Sequence, residues 1–233
     1  MEKSGFTKRS IIQIVLQGFI LTPIALLAMC LFTAGRWDYW QAWLITGLAM
    51  VIIVVDLVVM REHPEVINER LAPGKGWKTW DKWISSTCSL LNVVTIIVSA
   101  LDAGRYKWSP KFNWVVYALS IGLYLSGQAL FLWAKRTNHY FSSVVRIQKD
   151  RKQEVCQEGP YKVVRHPGYV GWIIYTLFTP LIVGSLWGLI PQGFSIILML
   201  IRTRLEDDLL KKELPGYASY ANKVKFRLVP GIW

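Results

Sequence analysis

The chain has 233 residues, of which 53% are hydrophobic and 18% charged, and it carries a net charge of +12. Soluble domains average about 45–50% apolar and about 25% charged residues, so this composition excludes a disordered chain, a disulfide scaffold and an ordinary cytosolic enzyme. The three cysteines, Cys30, Cys88 and Cys156, have no metal-ligand or redox spacing. They are expected to be core residues or spare thiols, and no metal site is predicted.

Apolar segments of membrane-spanning length come first in chain order, since a transmembrane helix needs about 20 apolar residues. They are residues 11–34, 42–60, 84–101 and 113–134. The first is too long for a signal peptide and ends without a small-residue cleavage site. We therefore predict an all-α integral membrane protein with four long transmembrane helices.

A fifth apolar segment, 170–201, is interrupted by glycines and prolines. It predicts a broken helical hairpin that turns around Gly184–Gly188, with arms short for two full spans. The fold class is thus four long helices plus this hairpin.

Basic residues lie almost entirely on one side of this layout. Twenty-three of the 27 Lys and Arg fall in the N-terminus, the 61–82 loop, the 135–169 segment and the 202–233 tail. Because cytoplasmic loops are enriched in Lys and Arg, both termini are predicted to be cytoplasmic. The excess of positive charge is then explained by the orientation of the helices in the membrane. We therefore predict a lipid bilayer rather than nucleic acid as the partner.

An acidic residue, Asp56, lies inside the second apolar segment. An intramembrane carboxylate is a functional candidate by default. At this shallow depth, however, pairing with Arg61 is the expected role.

The polar segment 135–171 ends in a dense motif around Arg165 and His166. Pro167 disfavours the α conformation at His166 and suits the first turn of a helix, so a helix is predicted to start there. Its N-terminus would favour an anion. Binding of lipid headgroups by Arg165 and His166 is an equally good interpretation. The preceding residues 144–155 fit either a short hairpin or a solvated loop.

The second polar segment, 202–233, begins with charged residues at helical spacing. One interpretation is an amphipathic helix with ordinary salt bridges between residues four apart. The other is a ligand site, in which the acids bind an ammonium group and Arg202 or Arg204 binds a carboxylate.

Together these two segments resemble the isoprenylcysteine carboxyl methyltransferase family, which includes related phospholipid methyltransferases. The resemblance rests on Glu-Gly-Pro-Tyr-x-x-Val-Arg-His-Pro-x-Tyr-x-Gly at 158–171 and Arg-x-x-x-Glu-Asp-x-x-Leu at 202–210, and the tail at 214–230 continues it. It implies two regions: a four-helix transmembrane region (1–134) and a catalytic region (135–233) made of a cytoplasmic connector, the hairpin and the tail.

The resemblance also implies a methyltransferase that uses S-adenosylmethionine in its cytoplasmic segments. When the family's motif is transferred to this sequence, the residues that line the cofactor site are Tyr161, Arg165, His166, Pro167, Tyr169 and Gly171. Glu206 and Asp207 would close that site. Asp207 stands where the family often has Glu, so its reach is shorter.

Chemistry assigns roles to these side chains. Glu206 suits the ammonium group of the donor, and Arg165 or Arg204 suits its carboxylate. Tyr161 or Tyr169 suits the adenine or the sulfonium. An amine acceptor would need a base, for which His166 and Glu206 are candidates, whereas a carboxylate acceptor needs none. Glu206, Arg204 and His166 are therefore the predicted catalytic residues, and the acceptor is expected to be a lipophilic small molecule or a lipid.

Two other functions stay open. The tail also looks like the C-terminus of membrane sterol reductases, which use NADPH. A non-enzymatic scaffold whose basic segments hold anionic lipid is the third hypothesis.

Overall fold

The computed structural model describes residues 20–233, which form eight α-helices and no strand. In chain order the helices are α1 (Thr22–Ala34), α2 (Trp40–Met60), α3 (Pro64–Leu71), α4 (Thr79–Ser99), α5 (Trp114–Thr137), α6 (Pro167–Val183), α7 (Leu189–Glu213) and α8 (Tyr217–Lys223). A π-helical segment, Ala100–Tyr106, extends α4, and two 3-10 turns lie at Lys149–Arg151 and Gly159–Lys162. The all-helical prediction is confirmed for this part of the chain.

Local sequence sets several helix ends. Asn113 caps α5 by accepting a hydrogen bond from the backbone N–H of Val116 at 3.1 Å. The helices α3 and α6 both begin at a proline, whose fixed φ suits a first turn. Gly184 ends α6 in the left-handed conformation (φ 94°), which glycine adopts at little cost.

Within residues 20–233, three helices are long and apolar enough to cross a membrane. They are α2 with 21 residues, α4 with its π-helical extension with 28, and α5 with 24. Only 17% of the 18-residue apolar stretch of α2 is buried inside the protein. Valines such as Val51 and Val58 lie on its exposed surface. Apolar surface of this kind fits a lipid environment. The first predicted span, 11–34, lies partly outside the described residues, and its described part, residues 20–34, contains the 13-residue α1.

The predicted hairpin is formed by α6 and α7, which turn at Gly184–Gly188. Its second arm is longer than expected, because α7 continues without a break from the apolar segment through the charged residues to Glu213. The polar motif of the second segment is therefore carried on a helix whose other end lies in the bundle.

The turn of the hairpin marks one end of the bundle. There Leu186 donates its backbone N–H to Oγ of Ser109 at 2.8 Å, and the rings of Trp108 and Trp187 are 6.2 Å apart. Most of the described Lys and Arg residues lie towards the other end, which we call the basic end. Which end faces the cytoplasm stays a prediction.

The pairing predicted for Asp56 is wrong. Its carboxylate accepts hydrogen bonds from Nζ of Lys135 at 2.7 and 2.8 Å, whereas Arg61 is exposed. The partner comes from the packing of α2 beside α5, which residue spacing along α2 does not reveal.

Two glycines let α5 and α6 touch backbone to backbone. A Cβ atom on Gly171 would lie 2.6 Å from the carbonyl oxygen of Gly127, and one on Gly127 would lie 2.6 Å from the amide nitrogen of Tyr175. Only glycine permits this approach. Gly171 thus faces α5 and fixes the position of α6.

Candidate active site

A cleft at the basic end brings together most of the residues predicted to bind a cofactor. It lies between the start of α6, the acidic part of α7, α8 and the loop 138–156. Five of the predicted residues line it: Tyr161, Arg165, His166, Tyr169 and Glu206. The cleft encloses about 100 Å³, and its empty space reaches about 810 Å³ when the open mouth is included. A ligand of nucleoside size would therefore lie partly in the mouth.

The C-terminal tail holds the Arg165–His166 segment through backbone hydrogen bonds. The amides of Arg165 and His166 donate to the carbonyls of Phe226 and Arg227, each at 3.0 Å. In addition, the hydroxyl of Tyr220 donates to the carbonyl of Tyr161 at 2.7 Å. The tail thus positions the residues that lead into α6.

The guanidinium of Arg165 is already engaged by the protein. Its Nε and Nη2 donate to the two oxygens of Asp207 at 2.7 and 3.0 Å, a bidentate pair. Its Nη1 donates to the carbonyls of Val224 and Lys225 at 2.6 and 2.8 Å. Because four of its five N–H groups have partners, Arg165 acts as a positioning residue rather than as a free anion binder.

Asp207 is fully buried beneath the cleft and collects positive charge. Besides Arg165, it accepts from Lys211 at 2.8 Å, Arg227 at 3.0 Å and the hydroxyl of Tyr217 at 3.0 Å. Burial by itself would raise the pKa of Asp207, but the hydrogen bonds from His166, Arg165 and Lys211 hold that pKa far below its usual range. Asp207 is therefore ionised and locks the site together instead of facing a ligand.

His166, Tyr169 and Glu206 form one wall of the cleft. The rings of His166 and Tyr169 are parallel within 2°, with centroids 5.6 Å apart. The Tyr169 hydroxyl donates a short hydrogen bond to Oε2 of half-buried Glu206. This bond orients the carboxylate, whose lone pairs beyond the one that Tyr169 uses can accept from a ligand.

A buried ion pair that the sequence did not reveal supports this wall. Nε of Arg202 donates to the fully buried Asp81 at 2.6 Å, and its guanidinium lies 5.2 Å from the centroid of the Tyr169 ring. Asp81 also accepts from the backbone N–H of Val145 at 2.7 Å. The pair joins α4, α7 and the loop 138–156, and no sequence pattern signalled a contact across 121 positions.

Besides Asp207, three predicted residues lie outside the cleft lining. Pro167 starts α6 and is buried, and Gly171 faces α5. Arg204 is exposed and lies beside Asp208 and Trp233 on a different surface. A carboxylate ligand in the cleft has instead the N-terminus of α6, where Gly168 lines the cleft with one of the N–H groups that have no partner within the helix.

A second, mostly apolar cavity of about 520 Å³ opens between α2, α3 and α5. Its polar lining includes the Asp56–Lys135 pair and Arg70. The Arg70 guanidinium lies 5.7 Å from the ring centroid of Phe131, which lines this cavity, and 5.5 Å from that of Phe141, which lines the cleft. Two phenyl rings in edge contact, 5.4 Å apart, therefore separate the two spaces.

Comparison with known proteins gives two matches. Residues 119–212 match the model of the isoprenylcysteine carboxyl methyltransferase (ICMT) family, which confirms the resemblance found from the motifs. The chain is also 35% identical over 97 residues to a lipoprotein signal peptidase from Azoarcus sp. (strain BH72). That similarity covers 41% of this chain and spans about half the length of the relative.

Proposed function

Because residues 119–212 match the model of the isoprenylcysteine carboxyl methyltransferase family, we propose that this protein is an integral-membrane methyltransferase. It transfers a methyl group from S-adenosylmethionine to a lipophilic acceptor. The observation that carries the proposal is the wall of His166, Tyr169 and Glu206 beside the N-terminus of α6, all inside the matched region. The apolar cavity behind the cleft supports a lipid-like acceptor.

The residues in the cleft fit this donor. Glu206 offers a carboxylate, already oriented by Tyr169, for the ammonium group. The N–H of Gly168 and the dipole of α6 offer a site for the donor's carboxylate. Tyrosine rings that line the cleft, such as Tyr161 and Tyr140, supply aromatic surface for the adenine or the sulfonium. The donor, once bound, supplies an electrophilic methyl group.

An anionic head on the acceptor fits the second cavity. The Arg70 guanidinium lies 5.7 and 5.5 Å from the centroids of two phenyl rings, and burial lowers its pKa. A desolvated guanidinium attracts a carboxylate strongly. The apolar lining of α2 and α5 takes the tail, and Arg70 takes the head at the boundary with the cleft.

For a carboxylate acceptor, the chain acts by positioning. A new O–C bond forms while the S–C bond of the donor breaks, and no proton needs to move. Holding the two reactants in line supplies much of the rate acceleration in such reactions. Glu206 fixes the donor and Arg70 fixes the acceptor, while Asp207 and Arg165 keep the start of α6 in place.

The peptidase name of the Azoarcus relative favours no second function here. Peptide hydrolysis by acidic side chains requires a carboxylate that exchanges protons near neutral pH. Asp207 is locked in its ionised form by basic groups, and its partners leave it no access to a peptide. Glu206, its neighbour, accepts a hydrogen bond from the Tyr169 hydroxyl rather than pairing with a second acid.

Calorimetry on the full chain in detergent tests the proposal, with S-adenosylhomocysteine and NADPH as separate titrants. We expect saturable binding of S-adenosylhomocysteine only. Glu206→Gln should weaken it about tenfold or more, because hydrogen bonds to charged groups contribute about 1.5–3 kcal/mol. Asp208→Asn, on the same helix but off the cleft, is the matched control and should bind as the wild type does. Binding of NADPH alone would overturn the proposal in favour of a reductase.

A further inference from the structure

Two of the three histidines in the chain meet one carboxylate at the basic end, outside the cleft. His63 precedes α3, Glu65 lies in the first turn of α3, and His139 follows α5. One ligand atom from each residue lies within 4.8 Å of the other two. We propose that these three side chains form a binding site for a divalent transition metal of the zinc type.

The spacing of the ligand atoms fits such an ion. Nδ1 of His139 and Nδ1 of His63 lie 3.1 and 3.5 Å from the same oxygen, Oε1 of Glu65. Two ligand atoms that are each about 2.0–2.1 Å from a tetrahedral zinc ion lie about 3.3 Å apart. An ion therefore needs only small side-chain rotations to reach all three atoms, and water completes its coordination.

Hydrogen bonding alone explains the arrangement of these three side chains less well than a shared cation does. The His139–Glu65 distance of 3.1 Å is an ordinary hydrogen bond. The His63–Glu65 distance of 3.5 Å is long for one, although the two imidazoles lie only 5.2 Å apart. A cation among the three side chains gives both nitrogens and the carboxylate a common partner.

The charge balance at this site makes Glu65 the most important of the three ligands. The positive N-terminal end of the α3 dipole opposes a cation at this point. Glu65 is the acidic residue of that first turn and offsets the dipole. Imidazole nitrogen and carboxylate oxygen together suit zinc and its neighbours in the first transition row rather than magnesium or calcium.

An ion here would connect α3 to the turn at residues 138–141, which lines another part of the cleft. His139 lies in the turn between Asn138 and Phe141, and both of these residues line the cleft. Asn138 also contacts the hydroxyl of Tyr161 at 3.4 Å. The metal would therefore hold this turn from the side that faces away from the ligand.

The test is a titration of Zn²⁺ into the full chain in detergent, with any purification tag removed. We expect saturable binding of one ion. Glu65→Gln and His139→Ala should each weaken it about tenfold or more, since even outer-shell changes at metal sites cost about 10–100-fold. Glu62→Gln, an exposed acid next to His63, is the matched control and should leave the affinity unchanged.

Two further measurements keep the result interpretable. Co²⁺ should give d–d absorption without the thiolate charge-transfer band that cysteine ligation produces. Hydrogen exchange should slow at residues 138–142 when Zn²⁺ binds. Absence of saturable binding, wild-type affinity in His139→Ala, or unchanged exchange in that turn would each overturn the proposal. None of these outcomes depends on whether the cleft binds a methyl donor.

Discussion

Arg165 and Asp207 form a bidentate ion pair across the α6–α7 hairpin, with N···O distances of 2.7 and 3.0 Å. The pair is buried, and Lys211 and Arg227 contact the same carboxylate. Two residues that the motifs marked as cofactor ligands are therefore partners of each other. Their contact fixes the geometry in which Glu206 and Tyr169 reach the cleft.

Removal of the Asp207 charge should destabilise the protein strongly. Asp207→Asn leaves several buried or half-buried cations without their anion, and breaking a buried pair costs about 3–5 kcal/mol. We expect a clear drop in the thermal unfolding temperature, followed by tryptophan fluorescence in detergent. Asp208→Asn, at a half-exposed neighbouring position, should change it little. Equal stability of the two variants would contradict the role given to Asp207.

The pH dependence of stability should show the same group. The folded-state pKa of Asp207 lies far below its unfolded value of about 3.9. Its contribution is thus fully present above the unfolded pKa and is lost as pH falls towards the folded one. The stability gap between wild type and Asp207→Asn should be constant from pH 5 to 7 and shrink by about 1.4 kcal/mol per pH unit below about 3.9. Unfolding scans across this range measure the gap; a gap that widens on acidification would refute the assignment.

Loss of the Tyr169 hydroxyl should weaken donor binding without unfolding the protein. Tyr169→Phe keeps the ring on His166 but releases the Glu206 carboxylate from its orienting hydrogen bond. A hydrogen bond to a charged group contributes about 1.5–3 kcal/mol, so the affinity for S-adenosylhomocysteine should fall about tenfold or more by calorimetry. Tyr175→Phe on the same helix, whose ring packs against Phe131, should bind normally.

Addition of one methyl group at Gly171 should separate α5 from α6. The new Cβ would be 2.6 Å from backbone atoms of α5, and overpacking of this kind costs about 1–3 kcal/mol. Gly171→Ala should therefore lower the unfolding temperature. Gly122→Ala, on α5 with open space around it, should be neutral or slightly stabilising. A stable Gly171→Ala that fails only to bind the donor would instead place Gly171 in the cofactor site.

Arg70 should be responsible for a preference for acceptors with an anionic head group. We expect wild-type protein to bind an S-farnesylated N-acetylcysteine more tightly than its uncharged carboxamide. Arg70→Met should remove most of that preference while the affinity for S-adenosylhomocysteine stays unchanged. Arg61→Met, at an exposed position of the same end, is the control. If wild type binds both compounds equally, the acceptor head is not recognised by charge.

Local patterns predicted much of the architecture. Apolar segments predicted α2, α4 and α5, because the length and the composition of a membrane-spanning helix can be read from consecutive residues. Glycine and proline placed the hairpin turn at Gly184–Gly188 and the start of α6 at Pro167, since backbone preferences act locally. The motif order also identified the cleft's main residues, Tyr161, His166, Tyr169 and Glu206.

Side-chain partners could not be predicted in this way. Asp56 pairs with Lys135 rather than Arg61, and Arg202 pairs with Asp81 rather than with an acid four residues along its own helix. A buried charge takes whichever opposite charge the packed helices bring nearest, because leaving it unpaired costs several kcal/mol. That neighbour depends on the three-dimensional packing of distant segments.

The sequence alone therefore determined the kind of protein: an all-helical chain with membrane-length helices, a broken hairpin and the motifs of a methyltransferase family. Only the tertiary structure decided the duties within those motifs, because helix packing turns Arg165 and Asp207 towards each other, Gly171 towards α5 and Arg204 away from the cleft. The same packing brings His63, Glu65 and His139 together, although 74 positions separate Glu65 from His139.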